Sequence, residues 1–227
     1  MTLSTSQNRG FFLTLEGGEG AGKTTQSRLL KDYLVSRGHE VILTREPGGT
    51  PESEKIRDLL VQRDGGDWTP LAECLLFFTA RLMHVEKLIQ PALKAGKIII
   101  CDRFTDSTRV YQGCGHGFDP DLIERVKKLV LGDFEPDMTL IFDVPVDVGL
   151  DRSFAQKTKA QGISAAAKEA TEDRFEKLDR GFHERIRQGF LEISRTHPQR
   201  CHVLDALKSS EEVFADILSV LPESLRT

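Results

Sequence analysis

Cysteine is scarce and scattered: the 227 residues hold four, Cys74, Cys101, Cys114 and Cys201, with no C-x-x-C pair and no histidine at ligand spacing. That excludes a disulfide framework and a cysteine zinc site, and it fits thiols kept reduced in the cytoplasm. No apolar run approaches the roughly 18 residues of a membrane span, and the polar residues 1–10 lack the apolar stretch of a signal peptide. Net positive charge is also missing. The formal charge is −4, which argues against a broad nucleic-acid surface, because backbone binding needs an excess of lysine and arginine on some face. A small anionic ligand needs only a local cluster. Absent too are an internal repeat, a low-complexity tract and a linker long enough to divide the chain. The expectation is one soluble, cytoplasmic domain, 1–227.

What is present is an alternation of short apolar runs with longer amphipathic segments. Runs at 11–16, 40–44, 97–102, 138–144 and 201–204 read as buried strands; helical patterns lie at 24–37, 52–62, 71–95, 121–131, 147–154, 165–195 and 210–220. Such an order predicts an α/β fold, a five-stranded parallel sheet with helices on both faces. Segment 156–171 has little to bury and carries Lys157 and Lys159. It reads as a mobile lid or hairpin, within a lid region 152–174.

Directly after the first strand and before the first helix stands Gly17-Gly18-Glu19-Gly20-Ala21-Gly22-Lys23-Thr24, which satisfies G-x-x-x-x-G-K-[ST], the P-loop pattern. Its glycines let successive backbone N–H groups turn inward, and the following helix adds its partial positive charge, making a cradle for phosphate oxygens. Lys23 is then a point charge for the β- and γ-phosphates, and the Thr24 hydroxyl a ligand for Mg²⁺, with Thr25 beside it. A second, Mg²⁺-facing carboxylate can come from Asp102 or Asp143, each ending an apolar strand. Asp102 is favoured because Arg103 follows it and also faces the phosphates. The guanine-reading N-K-x-D and the switch D-x-x-G are absent, and 227 residues leave little room for the coupled domains of a motor. A small-substrate kinase fits best.

Three further clusters are Thr44-Arg45-Glu46-Pro47-Gly48-Gly49-Thr50, Leu76-Phe77-Phe78-Thr79-Ala80-Arg81, and Asp102-Arg103-Phe104-Thr105-Asp106-Ser107-Thr108-Arg109-Val110-Tyr111-Gln112-Gly113. An aromatic ring at Phe77 beside the donors of Arg81 suits a nucleotide base. With these clusters in order behind a P-loop, the chain resembles the thymidylate kinase family, bacterial type. The resemblance implies that Phe77 stacks on thymine, that Arg81 donates to its O4, and that Ser107, Thr108, Tyr111 and Gln112 line the base and sugar. It implies that Glu19 accepts from the 3′-hydroxyl of the acceptor, and that a cis peptide before Pro47 aims Arg45 or nearby backbone at its phosphate, with Arg57 adding a contact. Arg152, by the same resemblance, is expected to pack on adenine. Because the P-loop has no basic residue at Gly20 or Ala21, the lid supplies the cation for the transferring phosphoryl group. Here the chain departs from the several closely spaced arginines of bacterial lids, leaving Lys157, Lys159 and Arg174 as candidates. A homodimer is implied as well.

The expected reaction is in-line transfer of the ATP γ-phosphoryl to dTMP, giving ADP and dTDP, with Lys23, Arg103, Mg²⁺ and a lid cation sharing the charge. The competing readings are a kinase for another nucleoside monophosphate, an ATP-dependent ligase of the dethiobiotin synthetase kind, and a nucleotide-binding module without chemistry.

Overall fold

Helix starts are written locally. Thr50-Pro51, Thr69-Pro70 and Asp119-Pro120 each place a capping oxygen just before a proline that needs no N–H partner, and they open α2 (Pro51–Val61), α3 (Pro70–His84) and, below, α6. The structure, a computed structural model, describes residues 9–62, 66–160 and 178–226, and of 156–160 the backbone alone.

The strands are β1 (Phe12–Gly17), β2 (Val41–Arg45), β3 (Ile98–Asp102), β4 (Met138–Asp143) and β5 (Cys201–Asp205). They form one sheet in the order β2-β3-β1-β4-β5, and every pair is parallel. Each lies within about one residue of its expected place, because a continuous apolar run is what burial on both faces demands. Alternation along β1 divides the core. Leu13 and Leu15 face α1 (Lys23–Ser36) and α9 (Ser210–Val220), packing with Leu30, Leu34 and Ile217, while Phe12 faces the opposite layer with Val85, Ile89 and Phe104. The short α10 (Glu223–Arg226) closes the first layer through Leu225.

The second layer departs from expectation in three places. The helix expected at 71–95 runs as α3, a π-helical turn at Val85–Ile89 and α4 (Gln90–Lys94). Pro91 has no N–H to give the preceding turn, and the widened turn ahead of it absorbs the mismatch. Residues 105–115, which lack helical patterning, form α5 (Thr105–Thr108) and a π-helical segment, Arg109–Gly115, followed by α6 (Pro120–Leu131). Val110 and Tyr111 hold that segment against Phe182, Ile186 and Phe190 of α8 (Arg180–Thr196), a long-range contact that overrides local propensity. Third, α7 (Val146–Ala160) runs six residues past its expected end at 154, so the backbone of 156–160, expected as lid, is helical. Ala155, Gln156, Lys157 and Lys159 are all good helix formers. The expected helix 165–195 is not continuous over its described part: Asp179 is extended and caps α8, accepting from Phe182 N at 2.9 Å.

Beneath the sheet on the α5 side lies a buried ionic cluster. Asp106, 1% exposed, accepts from Arg200 Nη1 at 2.6 Å and from Arg109 Nη1 at 2.8 Å, and Arg200 also donates to Thr139 on β4. Removing the charge leaves the Arg200 guanidinium without a carboxylate to bond in a poorly solvated place, while Arg109 keeps Glu124 and Glu135. Asp106→Asn is therefore expected to lower unfolding free energy by about 3 kcal/mol, measured by urea denaturation; a loss below about 1 kcal/mol, the surface-pair range, would show that the cluster is effectively solvated.

Candidate active site

A parallel sheet whose order reverses at β1 opens a crevice beyond the carboxyl ends of β1, β3 and β4. Gly17 to Lys23 crosses that crevice and leads into α1. Unlike α2, α3, α6, α8 and α9, α1 has no side-chain cap, and unlike all of these except α8 it has no acidic residue in its first turn. Its first N–H groups and its dipole stay available to an anion. Two glycines are geometrically required here. Gly22 sits at φ 89°, and a Cβ on Gly20 would lie 1.9 Å from the Gly149 carbonyl oxygen on α7.

Lys23 is buried in the loop and donates to Gly17 O at 3.1 Å and Gly18 O at 2.8 Å; burial and the neighbouring Arg103 lower its pKa. Thr24 and Thr25 are exposed on the first turn of α1. The two candidate metal-facing carboxylates differ sharply. Asp143 is engaged by Arg187 through both oxygens, at 2.6 and 2.9 Å, whereas Asp102 Oδ1 is buried with no hydrogen-bond partner. Only Asp102 keeps a buried oxygen free for a cation.

On the β3 side, a cavity of about 150 Å³ is lined by Phe77, Arg81, Arg103, Thr108, Tyr111 and Gln112, together with Glu19, Pro47, Arg57 and Ser107. Arg81 is 2% exposed and directs Nε to Glu46 at 2.6 Å, Nη1 to Thr108 Oγ1 at 3.0 Å and Nη2 to Phe104 O at 3.0 Å. Glu46 also accepts from His84 Nδ1 at 2.9 Å, and His84 Nε2 pairs with Thr44 Oγ1 at 2.8 Å. The Glu46–Pro47 peptide is cis, as the resemblance implies, and Arg57 Nη1 donates to Pro47 O at 2.8 Å. Gln112 donates to Glu73 at 2.9 Å. Arg45 stands at the end of β2 on Glu54 at 3.1 Å and is not among the lining residues.

Between phosphate loop and cavity stand Glu19 and Arg103. Arg103 Nη2 donates to Glu19 Oε1 at 2.7 Å and Nη1 to Gly17 O at 3.1 Å, its guanidinium lies 4.9 Å from the Tyr111 ring, and Tyr111 Oη donates to Glu19 at 3.0 Å. Burial raises the Glu19 pKa, but Arg103, Lys23 and the Tyr111 hydroxyl outweigh it and hold the carboxyl down at about 2. For Arg103, burial disfavours the charge and Tyr111, Glu19, Asp102 and Glu16 restore it, so its pKa is raised. On the other side of the loop, a cavity of about 400 Å³ is lined by Gly22, Thr25, Arg152 and Ala206 to Ser210, with Arg152 Nη1 donating to Ala206 O at 2.7 Å. Arg174 and the side chains of Lys157 and Lys159 lie outside the described residues.

A family model described as Thymidylate kinase matches residues 15–217. Thymidylate kinase of Caulobacter vibrioides is 46% identical over 96% of this chain and 98% of its own, and that of Desulfosudis oleivorans is 45% identical over 92% and 95%. The chain belongs to the thymidylate kinase family. A crystal structure of thymidylate kinase from Ehrlichia chaffeensis superposes with a TM-score of 0.71 at 37% identity, covering 94% of this chain and 99% of that one.

Several residues around this cleft escaped the sequence reading. Glu46 and His84 belong to it through burial: alone in sequence, neither shows that Arg81 depends on it. His183 on α8, 5% exposed with Nε2 unpartnered, shares a small cleft with Glu19 and Arg187. Only tertiary packing brings α8 to the loop. The stretch 206–210 after β5 has the Gly-free, mixed composition of an ordinary connection.

Glu19 carries a pH dependence whose sign is set. Its folded pKa of about 2 lies below the ordinary 4.5, so its contribution is full above pH 4.5 and is lost as pH falls towards 2. Relative to Glu19→Gln, the wild type should gain no more than about 3 kcal/mol at neutral pH, and the difference should shrink below pH 4.5 in acid-unfolding curves. Parallel curves down to pH 2 would mean that Glu19 is not held as a carboxylate.

Proposed function

We propose that the chain transfers the γ-phosphoryl group of ATP to the 5′-phosphate of dTMP, giving ADP and dTDP, by direct in-line displacement. The observation that carries this is the Glu19–Arg103 bridge, which joins a phosphate-binding loop to a base-sized cavity so that donor and acceptor meet at one cation. No protein nucleophile is needed. The acceptor phosphate is already an anion, so the task is to bring two polyanions together and to stabilise charge on the equatorial oxygens.

The residues divide that task. Lys23 and the N–H groups of residues 17–24 hold the donor phosphates, and Arg103 lies towards the acceptor. Phe77 offers its ring, and Arg81, already oriented by Glu46, Thr108 and Phe104, keeps N–H groups for a base oxygen. Glu19, ionised at neutral pH, suits a sugar hydroxyl donor. Arg152 and the 206–210 stretch are assigned to adenine. Mg²⁺ is proposed between the Thr24 hydroxyl and Asp102, whose unpaired buried Oδ1 suits it; a few protein oxygens completed by substrate phosphates are the usual Mg²⁺ site in kinases. Bound there with ATP, it supplies positive charge to the β- and γ-phosphate oxygens. The lid 152–174 of this single domain is assigned the further cation, from Lys157, Lys159 or Arg174. The half-exposed leucines Leu59 on α2 and Leu71 and Leu75 on α3 support the homodimer, and four free cysteines support a cytoplasmic site. No helix among the described residues is long and apolar enough to cross a membrane.

Purified protein with MgATP and each of dTMP, dUMP, dCMP, AMP and GMP in a coupled ADP assay should release ADP at least about tenfold faster with dTMP than with dUMP, the range a single methyl contact commands. ATP binding with no release from any acceptor would overturn the assignment. Lys23→Ala should keep its thermal midpoint and lose at least about 10³-fold in kcat. Asp102→Asn should raise the Mg²⁺ concentration for half-maximal rate by about tenfold; an unmoved Mg²⁺ titration would remove Asp102 from the metal site.

A further inference from the structure

Glu16 is the last residue of β1 before the phosphate loop, and its side chain does not join the leucine core. By alternation it projects with Phe12 and Thr14 to the α5 face, fully buried. A carboxylate there is costly unless donors surround it. Its oxygens collect three: Phe104 N to Oε1 at 2.7 Å, Ser107 N to Oε1 at 3.3 Å and Ser107 Oγ to Oε2 at 2.6 Å. These donors belong to the turn that carries Arg103.

That turn is strained. Arg103 has φ 70°, the only positive φ among described non-glycine residues, in a region where Cβ crowds the following carbonyl oxygen. Such a conformation persists where neighbours over-determine it. Arg103 N is held by Leu15 O at 2.9 Å, and the left-handed step delivers the next N–H, that of Phe104, to Glu16. The same carboxylate fixes Ser107, whose Oγ lies 3.4 Å from Arg103 Nη1. Glu16 thus grips the turn just beyond the arginine, at Phe104 and Ser107, without touching the cleft.

We propose that Glu16 is a positioning residue for Arg103, holding the strained turn so that the guanidinium spans Gly17, Glu19 and the acceptor cavity. The inference rests on the role given to Arg103 in phosphoryl transfer. A buried carboxylate kept only for folding would lower stability when replaced and leave kcat of the folded fraction alone. One that aims a charge-stabilising group acts on kcat, since a displacement near 1 Å costs about a hundredfold.

The test is a double-mutant cycle. Glu16→Gln should keep the affinity for ATP, measured by calorimetry, within about threefold while kcat falls at least about thirtyfold. Adding Glu16→Gln to Arg103→Ala should lower kcat by no more than about twofold further, because a residue acting through Arg103 has nothing left to aim. Fully additive losses, or a fall in thermal midpoint with kcat unchanged, would overturn the positioning role. If Glu16→Gln does not fold, Glu16→Asp, which keeps the charge but draws the carboxylate back from Phe104 and Ser107, takes its place in the same cycle, with the same two outcomes. A near-normal kcat in Arg103→Ala alone would instead overturn the role of Arg103 itself, and so separates that failure from failure of the inference.

Discussion

The ion pair between Arg103 and Glu19 is the contact on which the cleft depends. It ties the loop after β1 to the turn after β3, two strands paired in register with Leu15 opposite Asp102. Because those strands are neighbours in a rigid parallel sheet, their ends are held at a constant separation, and the side chains leaving them meet reproducibly. A flexible pair on the surface would give little. This one is mostly shielded, is backed by the Tyr111 ring and hydroxyl, and keeps both partners charged.

Around that pair, besides Glu16 and its donors, the described residues hold two further buried ionic clusters, each with a mechanical purpose. Glu46 orients Arg81 and His84 behind the base-sized cavity, and Asp106 pins Arg109 and Arg200 beneath α5. Fully paired, such clusters specify one arrangement of side chains; half-paired, they would be the weakest points of the fold. The cavity walls are therefore set by ionic contacts made behind them, while the sheet supplies the apolar energy that holds the layers together.

Much of this was legible beforehand, and the reason differs by residue. The P-loop could be read because its glycines answer a local demand: Gly22 at positive φ and Gly20 against α7 have no substitutes. The strands could be read because burial on two faces leaves a run of apolar side chains. Phe77, Arg81, Thr108 and Tyr111 were found as short motifs and do converge on one cavity. By contrast, the 105–115 helical segment was invisible, since Thr, Asp, Ser and Gly favour turns, and it is α8, some seventy residues later, that packs it into helical form. The end of α7 was missed because a lysine- and alanine-rich stretch with no apolar face resembles a loop in pattern while favouring helix in propensity.

Sequence by itself determined the parallel α/β architecture, the phosphate loop and the residue types lining the neighbouring cavity, because each depends on contacts within a few residues or on a simple period of burial. Between the two strand-end aspartates the sequence favoured Asp102, but only tertiary structure set their difference in pairing, by bringing Arg187 onto Asp143 and nothing onto Asp102 Oδ1. It likewise decided that Glu16, an unremarked residue before the loop, reaches the turn at Arg103. Pairings of that kind span dozens of residues and are set by which faces of helices and strands meet, and no local pattern along the chain records that meeting.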